Sequence, residues 1–185
     1  VTPNDPNGTA EVYSYTYDEN GIRSSKTVNG TTTNFTTKDG VILSQTDGTN
    51  TMYFQYDNSG NPTGFRLNGT QYFYLNNQMG DVIGITDSTG SLIATYTYGA
   101  WGEVLATTPA TPGSSSQLAI ADANPLRYRG YYLDQETGYY YLQSRYYDSG
   151  LSRFINADTP EIISFTNSEW AGNNLFVYCC NDSIN

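Results

Sequence analysis

The chain of 185 residues contains no histidine, and it has only eight lysines and arginines against eighteen aspartates and glutamates. Cysteine, methionine and tryptophan occur twice each. Each shortage removes a class of function. Without imidazole the commonest general base and the commonest metal ligand are both missing, so acid–base work would fall to carboxylates. A formal net charge of −10 and a sequence pI near 4.1 repel phosphate, so no nucleic-acid partner is expected. No apolar run reaches the ~20 residues that a membrane-crossing helix needs. Val1 opens no secretory signal, which gives the expectation of a fragment whose export signal lies upstream, in a secreted or cell-surface protein. Cys179 and Cys180 are adjacent, which strains a mutual disulfide. They read as small buried residues of a strand over 175–180, and neither a metal nor a cofactor is expected.

What the chain has in plenty is tyrosine and glycine, eighteen of each. Many short strands joined by tight turns fit that composition better than helices do, so the expected fold is all-β and antiparallel, with at most one short helix. An imperfect repeat supports this. Tyr17 to Gly21, Tyr56 to Gly60 and, more loosely, Tyr98 to Gly102 each start with Tyr and end in Gly four positions later. Within them Asp18 and Asp57 can accept hydrogen bonds from turn N–H groups, while Gly21 and Gly60 can supply a positive φ. Asn29-Gly30, Asp39-Gly40, Asp47-Gly48, Asn68-Gly69 and Asp87 to Gly90 mark further turns, the first four as Asn-Gly or Asp-Gly hairpin signals. Carboxylates at repeated turn positions are structural, because the turn itself explains them. The sequons at Asn7, Asn29, Asn34, Asn68 and Asn181 are what an Asn- and Thr-rich chain generates by chance, and they matter only in a glycosylating host.

Nearly half of the tyrosines and four of the six arginines fall in the segment from Asn124 to Asp158, NPLRYRGYYLDQETGYYYLQSRYYDSGLSRFINAD. This segment reads as a strand over 127–133, a turn ending at Gly138, a returning strand over 139–147, and a third strand over 151–155. The expected side-chain ladder comprises Tyr128, Tyr132, Tyr140 and Tyr146 with Arg127, Arg129 and Arg145, guanidinium planes stacking on rings and pairing with Asp134, Asp148 or Asp158. The domain reading is a linker over 1–10, hairpins over 11–105, a flexible loop over 106–123, and a closing module over 124–185. A short helix over 159–167, capped by Thr159 with Pro160 behind it, is also expected.

The run RYRGYYLDQETGYYYLQSRYYDSGLSRFINAD resembles the Rhs-repeat-associated core of Rhs and YD-repeat proteins, which are similar in turn to toxin-complex shell subunits and to teneurins. YFYLNNQMGDVIGITDSTGSLIATYTYGAWGEVL, from Tyr72 to Leu105, resembles the stretch that precedes that core. The resemblance implies a spiralling β-sheet shell that encloses or presents a C-terminal effector, with upstream repeats and that toxin domain as partners and with an immunity protein as a further one. It also implies self-cleavage in some members by a pair of aspartates. Arg153 matches the family's arginine and Asp158 its first aspartate, but Ala157 stands where Pro is usual. The second aspartate motif would lie beyond Asn185. On this reading the chain is not an enzyme, and Arg153 with Asp158 is one half of a site. The end at Asn185 fits either a processed product or a deliberate cut. A different reading takes Trp101 and Trp170 as sugar-stacking platforms of a cell-surface glycan-binding module. Exposed sheet edges allow self-association on either reading.

Overall fold

Turn residues decide where the strands of this protein begin and end. The computed structural model describes residues 12–157 and 175–179. Among the described residues, fourteen strands lie in two sheets. The first takes β1 (Tyr13–Tyr17), β2 (Arg23–Val28), β3 (Thr31–Lys38), β4 (Val41–Thr46), β5 (Thr51–Tyr56), β6 (Pro62–Leu67), β7 (Thr70–Asn76), β8 (Val82–Asp87), β9 (Leu92–Tyr98) and β10 (Val104–Pro109) in chain order. The second takes β11 (Tyr132–Asp134), β12 (Tyr139–Leu142), β13 (Arg145–Asp148) and β14 (Arg153–Phe154), also in chain order. Sequential antiparallel neighbours are the topology that two- to five-residue hairpin connections enforce.

The contacts divide the chain into two units, Val1–Gln55 with Phe65–Gln71, and Tyr56–Gly64 with Tyr72–Asn185. In the first unit, Asn29 (φ 49) and Gly30 (φ 86) turn β2 into β3, and Asp39 (φ 52) and Gly40 (φ 79) turn β3 into β4. Two successive positive φ values match the right-handed twist of the flanking strands. The apolar interior of this unit is small: Ile42, Met52, Phe54 and Phe65 are buried. Arg23 is also buried, its guanidinium 4.8 Å above the Phe35 ring and 5.4 Å from that of Tyr15. Much of the remaining cross-strand contact is polar. Thr16 bonds Ser25 at 2.7 Å, Thr27 bonds Thr32 at 2.8 Å, and the amides of Gln55 and Gln71 exchange two hydrogen bonds of 3.0 and 2.7 Å.

The second unit buries far more aromatic surface. Tyr72, Tyr74, Val82, Ile85, Ala94 and Tyr96 are buried on the strands, and Leu126, Tyr128, Tyr140, Tyr147 and Phe154 in the segment that follows. The stretch expected as a flexible loop over 106–123 is ordered instead. Most of β10 and the helix α1 (Ser115–Ala123) occupy it. Ser114 caps the helix, its hydroxyl accepting from Gln117 N, and the Thr111 N–H reaches the Gln117 side chain at 2.7 Å. The closing module is more finely broken than expected. A single 3-10 turn at Tyr128–Gly130 interrupts the strand expected over 127–133, with Arg129 at φ 53 and Gly130 at φ 69. Gln143, at φ 57, divides the strand expected over 139–147 into β12 and β13. The strand expected over 175–180 reduces, among the described residues, to one isolated bridge between Val177 and Arg153. The expected linker over 1–10 and helix over 159–167 lie outside the described residues.

Candidate functional site

Among the described residues five turns share one closure, and they lead to the site. In each, the N–H of the first residue donates to the carbonyl of the residue four further on, and the glycine three further on donates back to the first residue's carbonyl. The starting residues are Asp18, Asp57, Asn77, Asp87 and Gly99. At Asp57 the carboxylate accepts from the N–H of Ser59 at 2.8 Å and of Asn61 at 2.9 Å, and Asp18, Asn77 and Asp87 make the same pair of bonds. The Asn61 side-chain amide donating to Asp57 at 3.0 Å and the Thr89 hydroxyl donating to Asp87 at 2.6 Å, followed by these N–H bonds, favour the ionised form and hold both carboxyls below their ordinary 3.8. Gly21 and Gly60 take φ 76 and 85.

The fifth turn has no such side chain. Gly99 stands where Asp or Asn stands elsewhere, and the Glu103 carboxylate fills the space that a side chain at 99 would need. Tyrosine hydroxyls arriving from residues 128–147 hold the turn in another way. Tyr128 donates to Ala100 O at 3.5 Å, Tyr147 to Trp101 O at 2.8 Å, and Tyr140 to Gly102 O at 2.8 Å. Three consecutive carbonyls therefore receive three hydroxyls. Gly102 cannot be replaced cheaply, since its φ is 90 and a Cβ there would lie 2.5 Å from the Tyr128 ring.

The rings that deliver those hydroxyls form a continuous stack. Tyr98 lies 6.2 Å from Tyr128, which lies 6.2 Å from Tyr140, which lies 6.3 Å from Tyr147, with Phe154 and Tyr178 beyond at 6.0 and 4.1 Å. Tilted and edge-on pairs at these separations suit the ring quadrupoles. Burial pushes the hydroxyls of Tyr98, Tyr140 and Tyr147 well above the ordinary 10, so they stay protonated as donors. Trp101 and Cys179 pack half-buried against this cluster, which uses Trp101 as filling.

A polar clasp sits beside the stack. Arg127, buried, lies 4.0 Å over the Tyr96 ring and donates to Ala121 O at 2.7 Å. Tyr96 OH donates to the same carbonyl at 2.8 Å, so one unsatisfied end of α1 receives two donors. Asn124 is fully buried. Its Oδ1 accepts from Tyr74 OH at 2.6 Å and from Leu126 N at 3.2 Å, and its Nδ2 donates to Leu126 O at 2.9 Å. Asp81, also buried, accepts from Arg129 N at 2.8 Å and from Asn77 Nδ2 at 2.6 Å. Gly130 fits against Pro62, where a Cβ would come within 2.9 Å.

Of the residues singled out from sequence, Tyr128 and Tyr140 enter the stack, and Arg127 enters the clasp. Arg129 lies 5.5 Å from the Tyr128 ring and Arg145 3.6 Å from that of Phe154. Tyr132 is buried opposite Tyr141, and Tyr146 pairs with Tyr141 at 5.3 Å. Gly138, at φ 74, closes the β11 to β12 turn by donating to Asp134 O at 2.8 Å. Arg153 is exposed on β14, and Asp158 lies outside the described residues. Among the described residues no group of three acidic or cysteine side chains is placed to hold a metal. Asn77, Asp81, Tyr96, Tyr147 and Asn124 were not singled out. The Asn77 turn was detectable, because Asn77 and Gly80 repeat the spacing of Asp87 and Gly90. Asn124 has partners as far as fifty positions away, and no local signal marks it.

Comparison with known proteins places this arrangement. A family model described as Teneurin YD-shell matches residues 12–185. A tRNA3(Ser)-specific nuclease, WapA, of Bacillus spizizenii is 42% identical over 148 residues, 78% of this chain and 6% of that protein. A double-stranded DNA deaminase toxin A of Burkholderia cenocepacia is 38% identical over 74 residues, 40% of this chain and 5% of that protein. Among solved structures, a TcdB2-TccC3-Cdc42 crystal structure superposes with a TM-score of 0.72 at 18% identity, covering 100% of this chain and 9% of the other. The Photorhabdus luminescens Tc holotoxin pore gives 0.68 at 17% identity, again covering 100% and 9%. The chain thus spans about a twentieth of the length of these curated relatives.

Proposed function

The chain belongs to the teneurin YD-shell family, and from that premise we propose that it is a wall segment whose closing module seals a shell around a C-terminal effector carried elsewhere in the full-length protein. The observation that carries this reading is the use made of the tyrosines. The hydroxyls of Tyr128, Tyr140 and Tyr147 are spent on the carbonyls of one turn, and their rings on one another. Side chains committed in this way hold a wall together and are not free to bind a substrate. The relatives point the same way. One is named for tRNA cleavage and another for DNA deamination, and both share parts of this segment. A segment common to proteins named for two different chemistries is a scaffold for either.

On this reading the chain itself catalyses nothing, and Arg153 and Asp158 are the near half of a cleavage site completed by later residues. Its partners are upstream repeats and the effector domain, with an immunity protein binding that domain, in a secreted or cell-surface protein. The glycan-binding alternative loses one of its two platforms, because Trp101 packs into the tyrosine cluster.

The test uses the longer natural polypeptide with its C-terminal domain attached. Limited proteolysis should leave that domain intact while the wall is folded and degrade it once Gly102→Val or a Tyr140→Phe/Tyr147→Phe pair has loosened the junction. Equal protease sensitivity in both forms would reject enclosure. Specific capture by a glycan array, lost on Tyr53→Ala, would favour the binding module instead, since Tyr53 is an exposed ring.

A further inference from the structure

Two Asn-Gly turns one repeat apart have almost the same local sequence, Val28-Asn29-Gly30-Thr31 and Leu67-Asn68-Gly69-Thr70. Both are exposed, and both take the same backbone form, Asn at φ 49 with Gly at φ 86 or 87. Asn-Gly is the dipeptide in which a backbone nitrogen most easily attacks the preceding side-chain amide, because no Cβ shields it. The folded surroundings differ. Asn68 is clasped at both ends of its amide: Oδ1 accepts from Thr51 N at 2.8 Å, and Nδ2 donates to Asn50 Oδ1 at 2.9 Å. Asn50 is itself fixed, its N–H and Nδ2 both donating to the Asp47 carboxylate. Asn29 makes the first of these contacts, Oδ1 accepting from Val12 N at 3.1 Å, and no partner for its Nδ2 is found among the described residues. The position one repeat before Asn50 is Glu11, outside the described residues. The contacts of both amides lie at the exposed surface, so the number of contacts is what separates them.

We propose that Asn29 is a site of spontaneous deamidation in the folded protein and that the Asn50 clasp protects Asn68 from the same reaction. Gly30 N attacks Asn29 Cγ, a C–N bond forms as ammonia leaves, and the product is a five-membered imide. Water then opens the imide at one carbonyl to give aspartate or at the other to give isoaspartate. Neither an oxidant nor a cofactor is needed. Attack requires the turn to leave its hairpin geometry, so the rate follows local opening, and the contacts holding each amide set that opening. The isoaspartate product lengthens the backbone of the β2 to β3 turn by one methylene and disturbs the register of that hairpin.

The experiment incubates the purified chain at mildly alkaline pH and follows both tryptic peptides by mass and by isoaspartate methylation. In urea the two sites should react at similar rates, because their sequences nearly match. In the folded chain Asn29 should react roughly tenfold faster than Asn68, the factor that one net hydrogen bond carries in an opening equilibrium. Asn50→Ala should raise the folded rate at Asn68 toward that of Asn29 and leave Asn29 unchanged. Equal folded rates in the unmodified chain, or an Asn68 rate indifferent to Asn50→Ala, would overturn the proposal.

Discussion

The two units solve the same problem with different chemistry. In the unit built around β1 to β4, strands are held by hydroxyl and amide pairs on half-exposed surfaces, over a small interior of Ile42, Met52, Phe54 and Phe65. In the unit built around β8 to β13, buried tyrosines do both jobs, rings packing on rings while hydroxyls satisfy backbone carbonyls. The difference shows two ways in which antiparallel strands can be held without a thick aliphatic core. Polar pairs in contact with water contribute little net energy each, whereas a buried tyrosine adds apolar area and a satisfied carbonyl together. On that ground the polar unit is expected to open more easily than the tyrosine-rich one.

The most damaging way to break this contrast is Gly102→Ala. The Cβ meets the Tyr128 ring at 2.5 Å on a backbone with φ 90, and overpacking with left-handed strain should together cost about 3 kcal/mol. Thermal or urea unfolding checks this, with Gly60→Ala as the comparison, since Gly60 has a similar φ and open space around it. Next comes Tyr140→Phe, which leaves Gly102 O without its buried donor and should cost about 1.5 kcal/mol, readable in the urea midpoint. In the other unit, Gln55→Ala removes the paired amides and should cost about 0.5 kcal/mol, because its surroundings are half wet.

Two pH limits sharpen the same contrast. The Asp57 and Asp87 carboxyls have folded values below the unfolded 3.8, so their contribution is present above 3.8 and fades as pH falls through the lowered values. Asp57→Asn should reduce that acid sensitivity in a melting series. The buried hydroxyls of Tyr98, Tyr140 and Tyr147 have folded values above the unfolded 10. Their contribution is complete below 10 and is lost as pH rises through the raised values. Tyrosinate absorbance from the stack should therefore appear only as the stack unfolds.

Much of the fold was legible in the chain. Asn29-Gly30 and Asn68-Gly69 announce their hairpins, because few other pairs tolerate two positive φ values. The junction was legible only as a density of tyrosine and arginine, since which ring meets which carbonyl depends on partners up to forty-six positions away. Helix α1 was missed for a definite reason. Only Ala121 within it is buried, so SSQLAIADA lacks an apolar stripe. Its last turn is held by Tyr96 and Arg127, which no reading of the helix alone could supply. The strand expected over 139–147 failed at Gln143, because a glutamine at φ 57 carries no turn signature.

Native-state hydrogen exchange resolved by residue tests the central claim most directly. Amides of β12 and β13, under Tyr140 and Tyr147, should exchange only through global unfolding, while those of β2 and β3 should exchange through local opening at lower free energy. Uniform protection across both units, or faster exchange in β12 and β13 than in β2 and β3, would contradict the account.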